Sequence, residues 1–334
     1  MATSDIDSSE TDTRELDARA AAFAETAAAV IANVEQVIQG KRRAIELVLL
    51  AIVAEGHLLV EDVPGVGKTS LAKAVARSID LPFGRVQFTP DLLPSDVVGL
   101  SVWNRSNSSF EFRPGPIFNG IVLGDEINRA SPKTQSALLE AMAEEQVTVD
   151  GVTYRLPHPF MVIATQNPIE YEGTYPLPES QLDRFLMRIS VGYPTAEAEL
   201  AILDAHGSGS VIDRIEPVTS GDRILDMVHF ARSVRVHPEI SRYLVDLASA
   251  TRQHPALALG MSPRATLGWL RAARALAALN GRGFVLPDDL KVLAHPVLGH
   301  RLMLTPEAQL QGRSTDEAVD EILRSVPSPS WDRR

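Results

Sequence analysis

The chain contains no cysteine, which removes disulfides, thiolate metal sites and cysteine nucleophiles together. Long apolar runs are missing as well. The longest uninterrupted one, Leu47 to Ala54, is far too short to span a bilayer. No basic, apolar-cored leader opens the chain: Asp5, Asp7, Glu10, Asp12, Glu15 and Asp17 stand against a single Arg14. The expectation is a soluble, cytoplasmic protein. Positive charge is in deficit, 32 Lys and Arg against 43 Asp and Glu for a net −11, which argues against a dedicated nucleic-acid binder. Eight histidines are present, but none falls into an HExxH or other metal-ligand spacing. What remains is ample: 45% hydrophobic residues over 334 positions can fill a main core and a smaller second one.

Residues 1–20 are acidic and poor in large apolar side chains, so a disordered tail is expected there. A helical pattern then runs through Phe23, Val30, Val34 and Val37 and stops at Gly40. From here to residue 205, short apolar runs alternate with helical patterns. The runs are His57–Val60, Arg85–Phe88, Ile121–Leu123, Phe160–Thr165 and Leu186–Val191; helices are expected at Arg43–Ala54, from Lys68, at Lys133–Ala143 and at Pro178–Phe185. That alternation describes an α/β core around a mainly parallel five-stranded sheet. Two hairpins interrupt it. Val102-Trp103 and Phe110–Phe112 flank Asn104–Ser109, and Val147–Val149 and Val152–Tyr154 flank Asp150-Gly151. A linker is expected over residues 206–220, where His206–Ser210 loosens the composition. Residues 221–334 lose the strand signal and read as a small all-α lid.

The most informative stretch is Glu61-Asp62-Val63-Pro64-Gly65-Val66-Gly67-Lys68-Thr69-Ser70. It follows an apolar strand and opens a helix, the context that a phosphate-binding loop requires. Backbone N–H groups around Gly65 and Gly67 can turn inward, and the helix N-terminus adds positive potential. Lys68 would reach the β- and γ-phosphates and Thr69 would ligate Mg²⁺. The nucleotide-binding set is therefore Val63, Pro64, Gly65, Val66, Gly67, Lys68, Thr69 and Ser70, with Gly40 counted alongside. The strict pattern has glycine where Asp62 stands; aspartate tolerates turn and left-handed geometry better than most residues. The competing reading is a glycine-rich turn whose lysine is merely solvated.

Ile121–Leu123 leads to Gly124-Asp125-Glu126. Two carboxylates at the end of a buried strand are costly unless a cation or hydrogen bonds compensate them, and nucleotide-bound Mg²⁺ would. Strand alternation would let Asp125 face the metal while Glu126 faces the attacking water. An acidic helix cap is the bland alternative. Asn167 follows the next strand, where a polar side chain can orient that water, although Asn-Pro is also an ordinary turn. Arg184 ends a helix, a position the macrodipole favours for a cation. Arg264 is the opposite case. Ser262 reads as an N-cap and Pro263 as the first helical residue, which puts Arg264 in the first turn, against the macrodipole and suited to phosphate contact.

Longer runs carry a specific likeness. Gly124-Asp125-Glu126-Ile127-Asn128-Arg129-Ala130-Ser131-Pro132-Lys133-Thr134-Gln135 and its continuation to Met142 resemble the MoxR family of AAA+ ATPases. So do Ala164–Glu170, Gly173–Phe185 and, as a second-sensor motif, Gly260–Ala265. The similarity spans roughly residues 25 to 325. It implies Walker A roles for Lys68 and Thr69, Walker B roles for Asp125 and Glu126, sensor 1 at Asn167, an arginine finger at Arg184 and sensor 2 at Arg264. It also implies a Mg²⁺-dependent ATPase, usually a homo-hexamer, with chaperone-like maturation activity on protein clients, often beside von Willebrand factor A domain partners. The hairpins would be the helix-2 insert and the pre-sensor-1 hairpin. A DNA-dependent motor shares this core, but Arg105 is the only basic residue of the first hairpin loop and Asp150 tips the second, where strand tracking wants Lys and Arg. A slow nucleotide-binding switch is the third reading.

Overall fold

The computed structural model describes residues 4–167, 173–197, 199–200 and 211–329. They divide into two compact units, Val30–Leu225 and Met1–Ala29 with Asp226–Arg334.

In the first unit, five strands pair in the order β2-β5-β8-β1-β9: β1 (Leu58–Glu61), β2 (Phe83–Gln87), β5 (Ile121–Asp125), β8 (Met161–Gln166) and β9 (Met187–Ile189). Every neighbouring pair is parallel. Strands covered on both faces read as unbroken apolar runs, and the side chains from Leu58 to Val60, Ile121 to Leu123 and Met161 to Ile163 are all buried. Parallel neighbours need crossovers, and helix α3 (Lys68–Ser78) follows β1 while α5 (Pro132–Glu144) follows β5. One consequence positions everything that follows: the C-terminal ends of all five strands lie along one edge.

Two antiparallel ribbons stand apart from the sheet, β3 (Gly99–Asn104) with β4 (Ser109–Pro114), and β6 (Gln146–Val149) with β7 (Val152–Arg155). Asp150 and Gly151 both take positive φ, 51° and 80°, as a two-residue primed turn demands. Phe112 of β4 stacks on Tyr154 of β7 with ring centroids 3.9 Å apart. Farther out, Trp103 and Phe110 meet edge to face at 5.1 Å, although 48% and 69% exposed.

The second unit is built on the helices Pro238–Gln253, Pro263–Leu279, Pro287–Leu298 and Thr315–Ser325. Trp269 is fully buried among them, and its indole N–H donates to the Leu290 carbonyl at 3.0 Å. It is not purely helical: Leu257–Leu259 pairs antiparallel with Met303–Leu304.

Two further stretches bear on the expected domain bounds. Instead of a disordered tail over residues 1–20, one helix runs from Ser4 to Glu35. Composition alone missed its partners. Leu16 lies so close to Gly283 that a β-carbon there would come within 2.0 Å of it, Arg19 sits over the Phe230 ring at 5.3 Å, and Ala20 is fully buried. The expected linker carries one short element. Residues 206–210 lie outside the described residues, but Val211–Asp213 form a 3₁₀ turn, and Arg77 at the end of α3 donates to Asp213 O at 2.9 Å and Ile215 O at 2.7 Å. Two backbone acceptors for one arginine tie this stretch to the end of the helix Lys68–Ser78.

Candidate active site

The strand edge assembles the candidate residues because parallel registers bring their ends level. Val60 of β1 and Thr165 of β8 are partners, as are Glu61 and Gln166, and the β5–β8 ladder runs through Gly124 and Ala164, just short of Asp125 and Thr165. The phosphate loop therefore leaves β1 beside the end of β8, with the β5 carboxylates on its other side.

Within the loop, Gly65 and Gly67 adopt φ values of +86° and +93°, conformations that residues with a side chain rarely take. A β-carbon on Gly65 would meet nothing within 4 Å, so the requirement there is conformational, not steric. Gly67 caps α3, whose N-terminal amides and dipole favour an anion. Lys68 Nζ donates to Asp62 O at 2.8 Å and Val63 O at 3.2 Å, which holds the ammonium over its own loop. Val63, Pro64, Val66, Thr69 and Ser70 are all at least partly accessible around it. Gly40 is left-handed too, with φ of +70°. Its neighbour Lys41 donates to Tyr193 O at 2.6 Å, and Ile38 lies 3.5 Å from where a Gly67 β-carbon would be, so the Gly40 turn borders the phosphate loop.

Asp125 ends β5 with its side chain 13% exposed. Thr165 Oγ1 donates to its Oδ1 at 2.6 Å, and Arg85 Nη2 donates to Oδ2 at 2.7 Å. Glu126 corrects the alternation argument. It lies outside the strand with φ of +57°, so a left-handed kink, not the pleat, separates the two carboxylates. Its amide donates to Thr165 Oγ1 at 2.9 Å, while Gln87 Nε2 and Arg129 Nε reach its Oε2 at 3.0 and 3.1 Å. One threonine hydroxyl thus orients both acidic residues. Asn167 follows β8 and is buried; Pro168–Glu170 of the same motif lie outside the described residues.

Arg184 belongs to this unit, but its Nη1 donates to the Leu139 carbonyl of α5 at 2.8 Å. The helix expected at Pro178–Phe185 is a single turn, Glu179–Leu182, and Arg184 lies just beyond it. Arg264 belongs to the second unit, exposed in the first turn of Pro263–Leu279. Ser262 accepts from the Ala265 amide at 3.1 Å and Pro263 is at N1, the cap expected from sequence.

Four residues that sequence reasoning passed over act on the carboxylates: Arg85, Gln87, Arg129 and Thr165. A signal existed for two of them. Arg85 and Gln87 alternate with the buried Gly84 and Val86 along β2, and a polar face on an edge strand reads as solvated unless its neighbour is known to end in acids.

The donor set suits Mg²⁺. Thr69 and Asp125 offer oxygen ligands, and among the described residues no group of three or more His, Asp or Glu could hold a metal. Mg²⁺ characteristically takes one or two carboxylates and completes its shell with phosphate and water oxygens.

Comparison with known proteins agrees with this geometry. Residues 57–187 match the model of the ATPase family associated with various cellular activities (AAA), and residues 249–322 match the AAA lid domain. The chain is 50% identical to the uncharacterized protein YeaC of Bacillus subtilis, over 90% of this chain and 93% of that one. It is 40% identical to the chaperone MoxR1 of Mycobacterium tuberculosis, over 92% of this chain and 84% of the other. A solved structure from Cytophaga hutchinsonii, described as a candidate ATPase, superposes with a TM-score of 0.88 at 37% identity, covering 96% of this chain and 99% of that one. With a phosphate loop, paired strand-end carboxylates and a helical second unit in the matching order, the chain belongs to the MoxR family of AAA+ ATPases.

Proposed function

We propose that the chain hydrolyses ATP to ADP and phosphate with Mg²⁺, as a homo-hexameric ring that remodels or matures protein complexes in the cytoplasm. The observation that carries this reading is the strand edge itself, where the loop of Lys68 and Thr69 leaves β1 on one side of β8 and the Asp125–Glu126 pair follows β5 on the other. Lys68 leaves its two loop carbonyls for the phosphate oxygens. Glu126 accepts a proton from the attacking water at Oε1, while Gln87 and Arg129 hold its Oε2. Asn167 orients that water. Arg184 exchanges the Leu139 carbonyl for a phosphate bound by the next subunit, and Arg264 contacts phosphate in its own chain or a neighbour's. Mg²⁺ held through Thr69 and Asp125 would spread the charge that develops on the phosphate oxygens.

The client is a protein, with a von Willebrand factor A domain protein as the partner class. The exposed pair Trp103–Phe110 supports a role for the hairpins in client contact, because paired aromatics left in water mark interaction surfaces. Nucleic acid is not the expected partner. Among the described residues no helix is long and apolar enough to cross a membrane. Steady-state phosphate release, with and without Mg²⁺ and DNA, tests the reaction. Mg²⁺-dependent turnover indifferent to DNA is the expected result, and turnover that appears only with DNA would contradict it. Sedimentation with ATP tests the ring.

A further inference from the structure

We propose that Asp62 is a positioning residue that braces the phosphate loop to the exit of β9; this rests on the nucleotide-binding reading above. β1 and β9 pair as Leu58 with Met187, Leu59 with Arg188 and Val60 with Ile189. Beyond Val60 the two chains must part, because β1 gives way to the phosphate loop while β9 continues into Ser190–Gly192. Main-chain donors on the β9 side then run out of main-chain acceptors, and buried amides cannot be left so. The Asp62 carboxylate takes them over. Its Oδ2 accepts from the Gly192 amide at 3.0 Å and from the Val191 amide, and its Oδ1 accepts from Ser190 Oγ at 3.1 Å. The residue is only 8% exposed, and three donors in one turn are what a buried carboxylate needs.

The backbone of the same residue reaches the other two parts of the site. Its N–H donates to Gln166 O at the end of β8 at 3.3 Å, and its carbonyl accepts from Lys68. Left-handed geometry is not the reason for aspartate here, because Asp62 is absent from the residues with positive φ. The residue is chosen for its carboxylate, and glycine would supply none of the three side-chain bonds. One residue beyond Gly192, Tyr193 O accepts from Lys41, beside Gly40. The Ser190–Tyr193 turn is therefore tied at one end to the phosphate loop and at the other to the Gly40 turn.

The test compares D62G, which restores the strict phosphate-loop pattern, with D62N in the full chain. Asparagine can still accept both amides and can donate to Ser190 Oγ, so it keeps the brace and loses only the charge. Binding of a fluorescent ADP analogue is expected to weaken tenfold or more in D62G and less than threefold in D62N. KM for ATP should rise in step, with kcat falling less. D62G binding as tightly as wild type, or D62N failing as badly as D62G, would overturn the proposal. Should D62G not fold, amide exchange in the wild-type chain decides. Val191 and Gly192 should exchange slowly and slow further with the ADP analogue, and fast exchange at both would refute the brace. A wild-type chain that bound no nucleotide would sink the nucleotide reading instead, leaving the exchange result to judge the brace.

Discussion

Two strands that flank β8, β1 and β5, lead into carboxylates, and the molecule treats them in opposite ways. At the end of β1, Asp62 is buried and satisfied chiefly by main-chain N–H groups. At the end of β5, Asp125 and Glu126 are met by side chains on long arms, Arg85 and Arg129, whose side chains are 48% and 42% exposed. Main-chain donors in a packed turn cannot leave without moving the fold. An exposed guanidinium can, since such a pair in water is worth about 1 kcal/mol or less. The difference separates what is fixed from what is exchangeable: the loop's anchor and the buried Thr165 hydroxyl are fixed, and the guanidinium partners of the carboxylates are not.

The largest expected effect concerns another arm of the releasable kind. Arg184 holds Leu139 O in its own chain, and if it moves to a neighbour's phosphate then Arg184→Ala should bind ATP yet lose about 10³- to 10⁵-fold in turnover, the range for such arginines. Mixing Arg184→Ala with Lys68→Ala should recover activity, because an intact arginine can face an intact loop. Normal turnover in Arg184→Ala alone would make it a helix-end cation. Next comes Gln87. If its bond to Glu126 restrains the carboxylate, Gln87→Ala should raise basal turnover several-fold, in line with about 1 kcal/mol for an exposed charge-assisted bond. A fall in turnover at saturating ATP would mean that Gln87 aims Glu126 instead. The smallest effect on basal chemistry belongs to the hairpin. Removing Asn104–Ser109 should change unstimulated turnover by less than twofold while abolishing stimulation by client. An unfolded product, read by circular dichroism, would show the loop to be structural.

Legibility from sequence followed the locality of the cause. The phosphate loop could be read because Gly65, Gly67 and Lys68 lie within one turn of chain, and the cap on Pro263–Leu279 because Ser262 and Pro263 adjoin it. What failed was non-local. Asp62 has a reason only when β9 is known to lie beside β1, 129 residues from Val191 along the chain. Arg85 and Gln87 matter only because β2 neighbours β5. The first helix read as a tail because Leu16 and Arg19 find their partners on the distant segments around Gly283 and Phe230. The left-handed Glu126 defeated the alternation argument, since nothing in Asp-Glu-Ile announces where a strand stops.

The central claim is that one edge of the sheet divides nucleotide binding from hydrolysis, the loop doing the first and the β5 carboxylate the second. Measuring nucleotide affinity and single-turnover hydrolysis side by side in Lys68→Ala and Glu126→Gln tests it directly. Lys68→Ala should lose binding. Glu126→Gln should bind ATP as wild type does and hydrolyse it about 10²- to 10⁴-fold more slowly, the span attributed to a general base. Wild-type turnover in Glu126→Gln would contradict the account.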